Sequence, residues 1–150
     1  MNNSVLILTG NTPFNSLETR VFELSKQLPD ITITLQSIKP VVTCSVNFRL
    51  VDFIPESSFQ DYDLIITHAG AGTVFFLLAC NLPFIAVPNL ERRDLHQLEL
   101  YNWLKKNKYS QTALIEGLKS DLIINKPILA DFQVDLPEFK LEMLLNELFG

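Results

Sequence analysis

Long apolar runs are missing from this sequence. The longest candidate, residues 74–87, is broken by Asn81 and Pro83. It falls short of the roughly 20 consecutive apolar residues that cross a bilayer, so no direct membrane span is expected. The opening residues MNNSVLILTG have neither the basic start nor the apolar core of a secretory signal, and a cytoplasmic location is expected. Basic charge is the minority charge: 12 Lys and Arg against 17 Asp and Glu leave a formal net charge of −5. That balance argues against nucleic acid or an anionic membrane as a free partner, since both favour a basic face, although a local basic patch is compatible with it. Cysteine is scarce. Cys44 and Cys80 lie far apart with no metal-ligand spacing around them, which favours free buried thiols in a reducing compartment over a disulfide or a metal site. No Ser/His/Asp or Cys/His set, P-loop, metal cluster, internal repeat or low-complexity tract is visible.

What is present is a greasy chain of 150 residues, 47 % hydrophobic and 19 % charged. This is enough for one domain with a substantial core and too little for two ordinary ones. Short apolar runs alternate with helical spacings. Residues 5–9 read as a buried first strand closed by Gly10. Phe14, Leu17, Val21, Leu24 and Leu28 recur at threes and fours, which predicts a helix over 14–28 with one face on a sheet. Strands are expected at 31–35, 41–44, 48–53, 64–67, 84–87 and 113–115, with a brief turn or helix at 56–60. A helix is expected from about Asp94 to Lys108, packed through Leu95, Leu98, Tyr101 or Asn102, and Leu104, with lysines at its C-terminal end. A short helix follows at 117–124, and a terminal, unusually apolar helix at 137–149 that either folds back or docks on a partner. No linker divides the chain. Strands alternating with helices predict one α/β domain over 1–150, with a Rossmann-like, doubly wound parallel sheet.

Three loops at the carboxyl ends of strands carry the polar residues that chemistry needs, and open α/β sheets bind nucleotide-like ligands there. In the first, His68-Ala69-Gly70-Ala71-Gly72-Thr73, the glycines allow close backbone approach. The following helix offers free N–H groups and a positive dipole end to a diphosphate. A tight strand-to-helix turn whose glycines serve packing alone is the plainer alternative. In the second, residues 88–97, Asp94 is placed to cap the next helix, with Asn89, Arg93, His96 and Gln97 nearby. Arg92 and Arg93 either neutralise phosphate or are simply solvated. The third, Thr9-Gly10-Asn11-Thr12, is either part of the same pocket or an ordinary turn. His68 and His96 are able to meet in space, yet nothing in the sequence requires acid–base work of them, and no catalytic residue stands out.

At these residues the chain resembles the small subunit of two-component glycosyltransferases. More broadly, it is similar to the C-terminal, donor-binding half of GT-B enzymes of glycosyltransferase family 28, which includes the peptidoglycan UDP-N-acetylglucosamine transferase. The match runs over about residues 5–116. It rests on TGNTPFNSL at 9–17, DLIITHAGAGT at 63–73, Asn81-Leu82-Pro83, Val87-Pro88-Asn89, and Asp94-x-His96-Gln97.

The resemblance implies that Gly70, Ala71, Gly72 and Thr73 grip the diphosphate of a UDP-sugar. It also implies that Asp94, His96 and Gln97 contact the donor sugar and phosphates. The wider donor-binding set is Gly10, Asn11, Thr12, His68, Asn89 and Arg93. UDP-sugar is then a substrate, and no cofactor or metal is expected. The small subunits have no acceptor domain, so a membrane-associated partner is implied to supply it and to recruit the chain to the inner face of the membrane. One departure stands out. Three residues after Thr73 the family places an acid that holds the ribose hydroxyls, whereas this chain has Phe76. Losing such a charged-acceptor bond costs on the order of 1.5–3 kcal/mol, roughly ten- to a hundredfold in affinity. The expected function is the UDP-sugar-binding subunit of a heteromeric glycosyltransferase acting on a lipid-linked acceptor in surface polysaccharide assembly. The alternative is a non-catalytic interaction subunit with the same fold and weakened donor binding.

Overall fold

In the computed structural model, which describes residues 3–126, the apolar runs assemble into one six-stranded parallel sheet. The strands are β1 (Asn3–Leu8), β2 (Ile31–Gln36), β3 (Phe48–Val51), β4 (Leu64–His68), β5 (Phe84–Val87) and β6 (Gln111–Thr112). Their order is β3-β2-β1-β4-β5-β6, and every named pairing is parallel. The helices are α1 (Asn15–Ser25), α2 (Ala71–Ala79), α3 (His96–Asn107) and α4 (Ser120–Ile124). The order reverses between β1 and β4, so the loops that leave these two strands diverge and open a crevice at the carboxyl edge.

Alternation along each strand divides the core into two layers. Val5, Ile7, Ile33, Leu35, Ile66 and Val87 face α1 and α4, packing with Leu17, Val21, Leu24 and Ile123. Leu6, Leu8, Ile65, Phe84 and Ala86 face α2 and α3, packing with Val74, Leu77, Leu78, Leu100 and Leu104. Both faces of the sheet are thus dry. This explains why β1, β4 and β5 read as near-continuous apolar runs, whereas β2 alternates Ile and Leu with Thr.

Four expectations need correction. Residues 41–44 form no strand: they lie in the loop between β2 and β3, with Val41 54 % exposed. Pro40 precedes them, and the Val41 N–H is spent on the carboxylate of Glu18, so it has no donor for a ladder. The last strand falls at Gln111–Thr112 rather than 113–115, and Ile115–Gly117 closes into a short 3₁₀ turn. The packed face of α3 is Gln97, Leu100, Tyr101 and Leu104, whereas Leu95 is exposed; a buried glutamine sets the face, and apolar spacing cannot register it. Finally, Cys44 and Cys80 are free, as expected, but exposed rather than buried. The terminal helix expected at 137–149 lies outside the described residues.

Candidate functional site

The crevice between the loops leaving β1 and β4 is about 350 Å³. From the expected set it is lined by Gly10, Asn11, His68, Gly70, Ala71, Gly72 and Thr73. Its other wall is Gln36, Phe53, Ile54 and Phe59, which the motif reading had not singled out. A signal for them existed: Gln36 ends β2, and Phe53-Ile54 follow β3, so all stand at the carboxyl edge where such sheets bind ligands. Phe59 is backed by Phe76, whose ring meets it edge-on at 5.8 Å between centroids. Phe76 therefore does structural work at the position where the resemblance implies an acid.

The floor of the crevice is the amino end of α2. Gly70 is its N-cap, no side chain caps it, and its first turn carries no acidic residue. The neighbouring helices differ. At α1 the carboxylate of Glu91 accepts bonds from the Asn15 N–H at 3.2 Å, the Ser16 N–H at 2.9 Å and the Ser16 hydroxyl at 2.6 Å. At α3 the N-cap position is Leu95, not Asp94 as expected. Asp94 still serves that helix, accepting the His96 N–H at 3.3 Å from one residue further out. The starts of α1 and α3 are thus answered by carboxylates, whereas those of α2, which faces the crevice, and of the short α4 are not capped by a side chain.

His68 is the partly buried hinge of the site. Its ring is held between two glycines: a Cβ built on Gly10 would stand 2.7 Å from the ring's Cε1, and one built on Gly70 would collide with the same atom. Gly10 also has φ +80°, where a side chain is strained in any case. A Cβ on Gly72 would meet nothing within 4 Å. Burial, and then the positive charge of Arg92, lower the His68 pKa from 6.5 to about 4, so the ring is neutral at physiological pH.

The second loop divides into an inner and an outer set. Asn89 is buried: its side chain donates to the Pro13 carbonyl at 2.9 Å and accepts the Glu91 N–H at 3.0 Å. It is a strut between the loops leaving β5 and β1. Gln97 is also buried, and its Oε1 accepts the N–H groups of Asn89 at 3.0 Å and Ala69 at 3.1 Å. Neither side chain lines the crevice. The outer set surrounds a second depression of about 330 Å³ against Thr12 and Pro13, lined by Glu91, Arg92, Arg93 and Asp94. There Arg92 grips Asp94 with two bonds, 2.8 and 3.1 Å, and reaches the Thr12 hydroxyl at 3.5 Å. The Arg92 hydrogen bond holds the Asp94 carboxyl below its ordinary pKa of 3.8. Arg93 is exposed, and His96 lies on the rim beside Glu99 at 3.7 Å. Among the described residues no group of His, Cys, Asp and Glu is arranged to hold a metal, and no helix is long and apolar enough to cross a membrane.

Comparison with known proteins adds a family and its relatives. A family model, the glycosyltransferase family 28 C-terminal domain, matches residues 2–124. The chain is 26 % identical over 126 residues to UDP-N-acetylglucosamine--N-acetylmuramyl-(pentapeptide) pyrophosphoryl-undecaprenol N-acetylglucosamine transferase of Thermosipho melanesiensis, covering 82 % of this chain and 38 % of that protein. It is 39 % identical over 59 residues to UDP-N-acetylglucosamine transferase subunit ALG13 of Cryptococcus neoformans var. neoformans serotype D, covering 38 % of this chain and 30 % of that protein. A solution NMR structure of ALG13 superposes with a TM-score of 0.58 at 19 % identity, over 83 % of this chain and 86 % of that one. The chain thus spans well under half the length of the two sequence relatives it matches.

Proposed function

The chain belongs to the glycosyltransferase family 28 C-terminal domain family, and from that membership we propose that it is the UDP-sugar-binding subunit of a heteromeric glycosyltransferase. Its acceptor is lipid-linked, and its setting is surface polysaccharide assembly. The observation that carries the reading is the open amino end of α2 on the floor of the crevice. Its first N–H groups and positive dipole end suit a diphosphate, and become more valuable as UDP departs and gains charge. Gly72 fits the same purpose, because the space its side chain would fill is empty.

Phe53, Ile54 and Phe59 give the crevice an apolar wall that suits a flat base. Asp94, Arg93 and His96 stand at the outer depression and rim, where sugar hydroxyls find hydrogen-bonding groups and a phosphate finds the Arg93 guanidinium. The chain positions and stabilises the donor; the general base and the acceptor site come from a membrane-associated partner. Several features support a partner on this edge. One relative is itself named a transferase subunit. Ile38, Phe53, Leu90 and Leu95, all in loops on the carboxyl side of strands, are 55–73 % exposed.

Phe76 favours a second reading, a non-catalytic subunit with weakened donor binding, because α2 offers the ribose no carboxylate. Calorimetric titration with UDP and UDP-sugars, with and without the partner, separates the two. UDP-N-acetylglucosamine is the first sugar to try, since both sequence relatives carry it in their names. The donor-binding reading expects a saturable heat that Gly72→Trp abolishes. Absence of heat and of a thermal shift at millimolar UDP in either setting overturns it.

A further inference from the structure

We propose that Gln97 is a positioning residue that fixes the tautomer of His68, so that the ring presents its Nε2–H to the crevice as an uncharged hydrogen-bond donor. The use of that donor, toward an anionic oxygen of a nucleoside diphosphate, rests on the function proposed above; the tautomer itself does not.

The orientation of the Gln97 amide follows from its partners. Two backbone N–H groups converge on one atom of that amide: that of Asn89 at 3.0 Å, and that of Ala69 at 3.1 Å, which is shared with the Val87 carbonyl at 3.0 Å. Only its oxygen can accept them, because the flipped amide would set N–H against N–H. Its NH₂ is then the atom 3.3 Å from His68 Nδ1. An NH₂ has no acceptor lone pair for a ring N–H, so Nδ1 must be the unprotonated, accepting nitrogen. A neutral imidazole with a bare Nδ1 carries its hydrogen on Nε2. Protonating Nδ1 would place two donors face to face, and Arg92, the charged group that acts on the ring, opposes a second positive charge. The low His68 pKa of about 4 agrees with this arrangement.

The ring has little room to turn, since Gly10 and Gly70 both stand so close to it that a Cβ on either would crowd its Cε1. Among the described residues Nε2 has no hydrogen-bond partner, and no side-chain nitrogen is both buried and unsatisfied. Nε2 is therefore open on the side where His68 lines the crevice with Asn11, Gly72 and Thr73. Gln97 stands behind the ring and acts through it. This differs from the sugar contact that the Asp-x-His-Gln resemblance implies.

Two-bond ¹H–¹⁵N spectra of the imidazoles read the tautomer directly. Only two histidines contribute, and His68→Gln identifies the signals. The wild type is expected to show Nε2 protonated and Nδ1 bare at pH 7. Gln97→Glu keeps an acceptor for Ala69 and Asn89 but turns a carboxylate oxygen toward Nδ1, so the Nδ1 proton should appear while the fold persists. A wild-type ring protonated at Nδ1, or an unchanged pattern in Gln97→Glu, overturns the proposal. Titration with UDP tests the donor. His68→Leu, which has no side-chain donor, should weaken UDP binding about tenfold, the scale of one lost hydrogen bond to a charged group. Equal affinity in wild type and His68→Leu overturns the donor role. Absence of UDP binding in the wild type, with the tautomer as expected, overturns the function proposed above and leaves the tautomer assignment standing.

Discussion

Gly70 and Gly72 sit two residues apart in one turn and answer to different demands. Gly70 makes room for the His68 ring, whereas Gly72 leaves room for nothing that the protein itself supplies. Gly72→Ala lies in the first turn of α2 and should stabilise the fold by about 0.5–1 kcal/mol, the helical advantage of alanine, while weakening UDP binding. Thermal melts paired with UDP titration check both halves. Gly70→Ala should instead lower the melting temperature or displace His68. In the sequence these glycines look alike, because a motif shows where backbone is bare but not what approaches it. Asn89 and Gln97 make the same point from the other side. Polar residues in a loop at a sheet's carboxyl edge read as ligand contacts, yet both are buried struts, and only the three-dimensional convergence of Pro13, Ala69 and Asn89 reveals it.

His68 also sets a pH dependence. In the unfolded chain it takes a proton near pH 6.5, and in the folded protein only near pH 4. Between these values the unfolded state holds more protons, so stability falls as pH drops from about 6.5 to about 4 and is fully retained above that window. The loss should be on the order of 2–3 kcal/mol, allowing for the ring's partial exposure. Urea titrations at pH 7 and pH 4.5 should show it, and His68→Gln should flatten the slope. Asp94 does not confuse the reading, because its carboxyl is held below 3.8 and titrates beneath the window.

At the level of elements, the loop between β5 and α3 is a brace as much as a binding loop. Through Glu91 it caps α1, a helix whose first two residues lie 76 and 75 residues away in sequence, and so locks the outer depression to the far layer of the domain. Glu91→Ala should cost about 1–2 kcal/mol, as for loss of a helix N-cap, measured by chemical denaturation. It should leave α2, and any diphosphate affinity that depends on α2 alone, largely unchanged. The strands β1, β4 and β5 were legible because a strand buried on both faces has few polar positions to break its run, and β2 because its Ile and Leu alternate with Thr. The edges were less so: β3 falls within the expected 48–53, but β6 has only two residues, and the stretch before β3 contains Val41 and Val46, which turn outward. Helix α3 was placed correctly but rotated, since the residue that anchors its first turn is an amide.

At the scale of the whole molecule, four of the exposed apolar side chains, Ile38, Phe53, Leu90 and Leu95, lie in loops that leave strands at the same carboxyl edge where the crevice opens. If a partner covers that rim, Leu95→Asp should change stability by no more than about 0.5 kcal/mol, as surface substitutions do, yet weaken association with the partner. Size-exclusion chromatography of the mixed chains distinguishes this from a solvated rim, for which the variant would co-elute with the partner as the wild type does. The family resemblance was readable over most of the chain because its motifs lie on the central strands and their loops, while the terminal stretch had only its apolar composition to offer.

The central place of β1 has a consequence in time. It is made before both of its neighbours, yet it is flanked on both sides in the finished sheet: Val5 pairs with Ile33 on one edge and with Leu64 on the other. During synthesis the second edge stays unpaired until roughly 60 further residues have been added, a wait of roughly 3–12 s at 5–20 residues per second. For that interval the nascent chain carries an apolar strand, NSVLIL, with one side open to any neighbouring strand. A ribosome that stalls between β2 and β4 would therefore leave a chain primed to pair with its own copies, which makes the pace of translation through this stretch part of what decides between folding and aggregation.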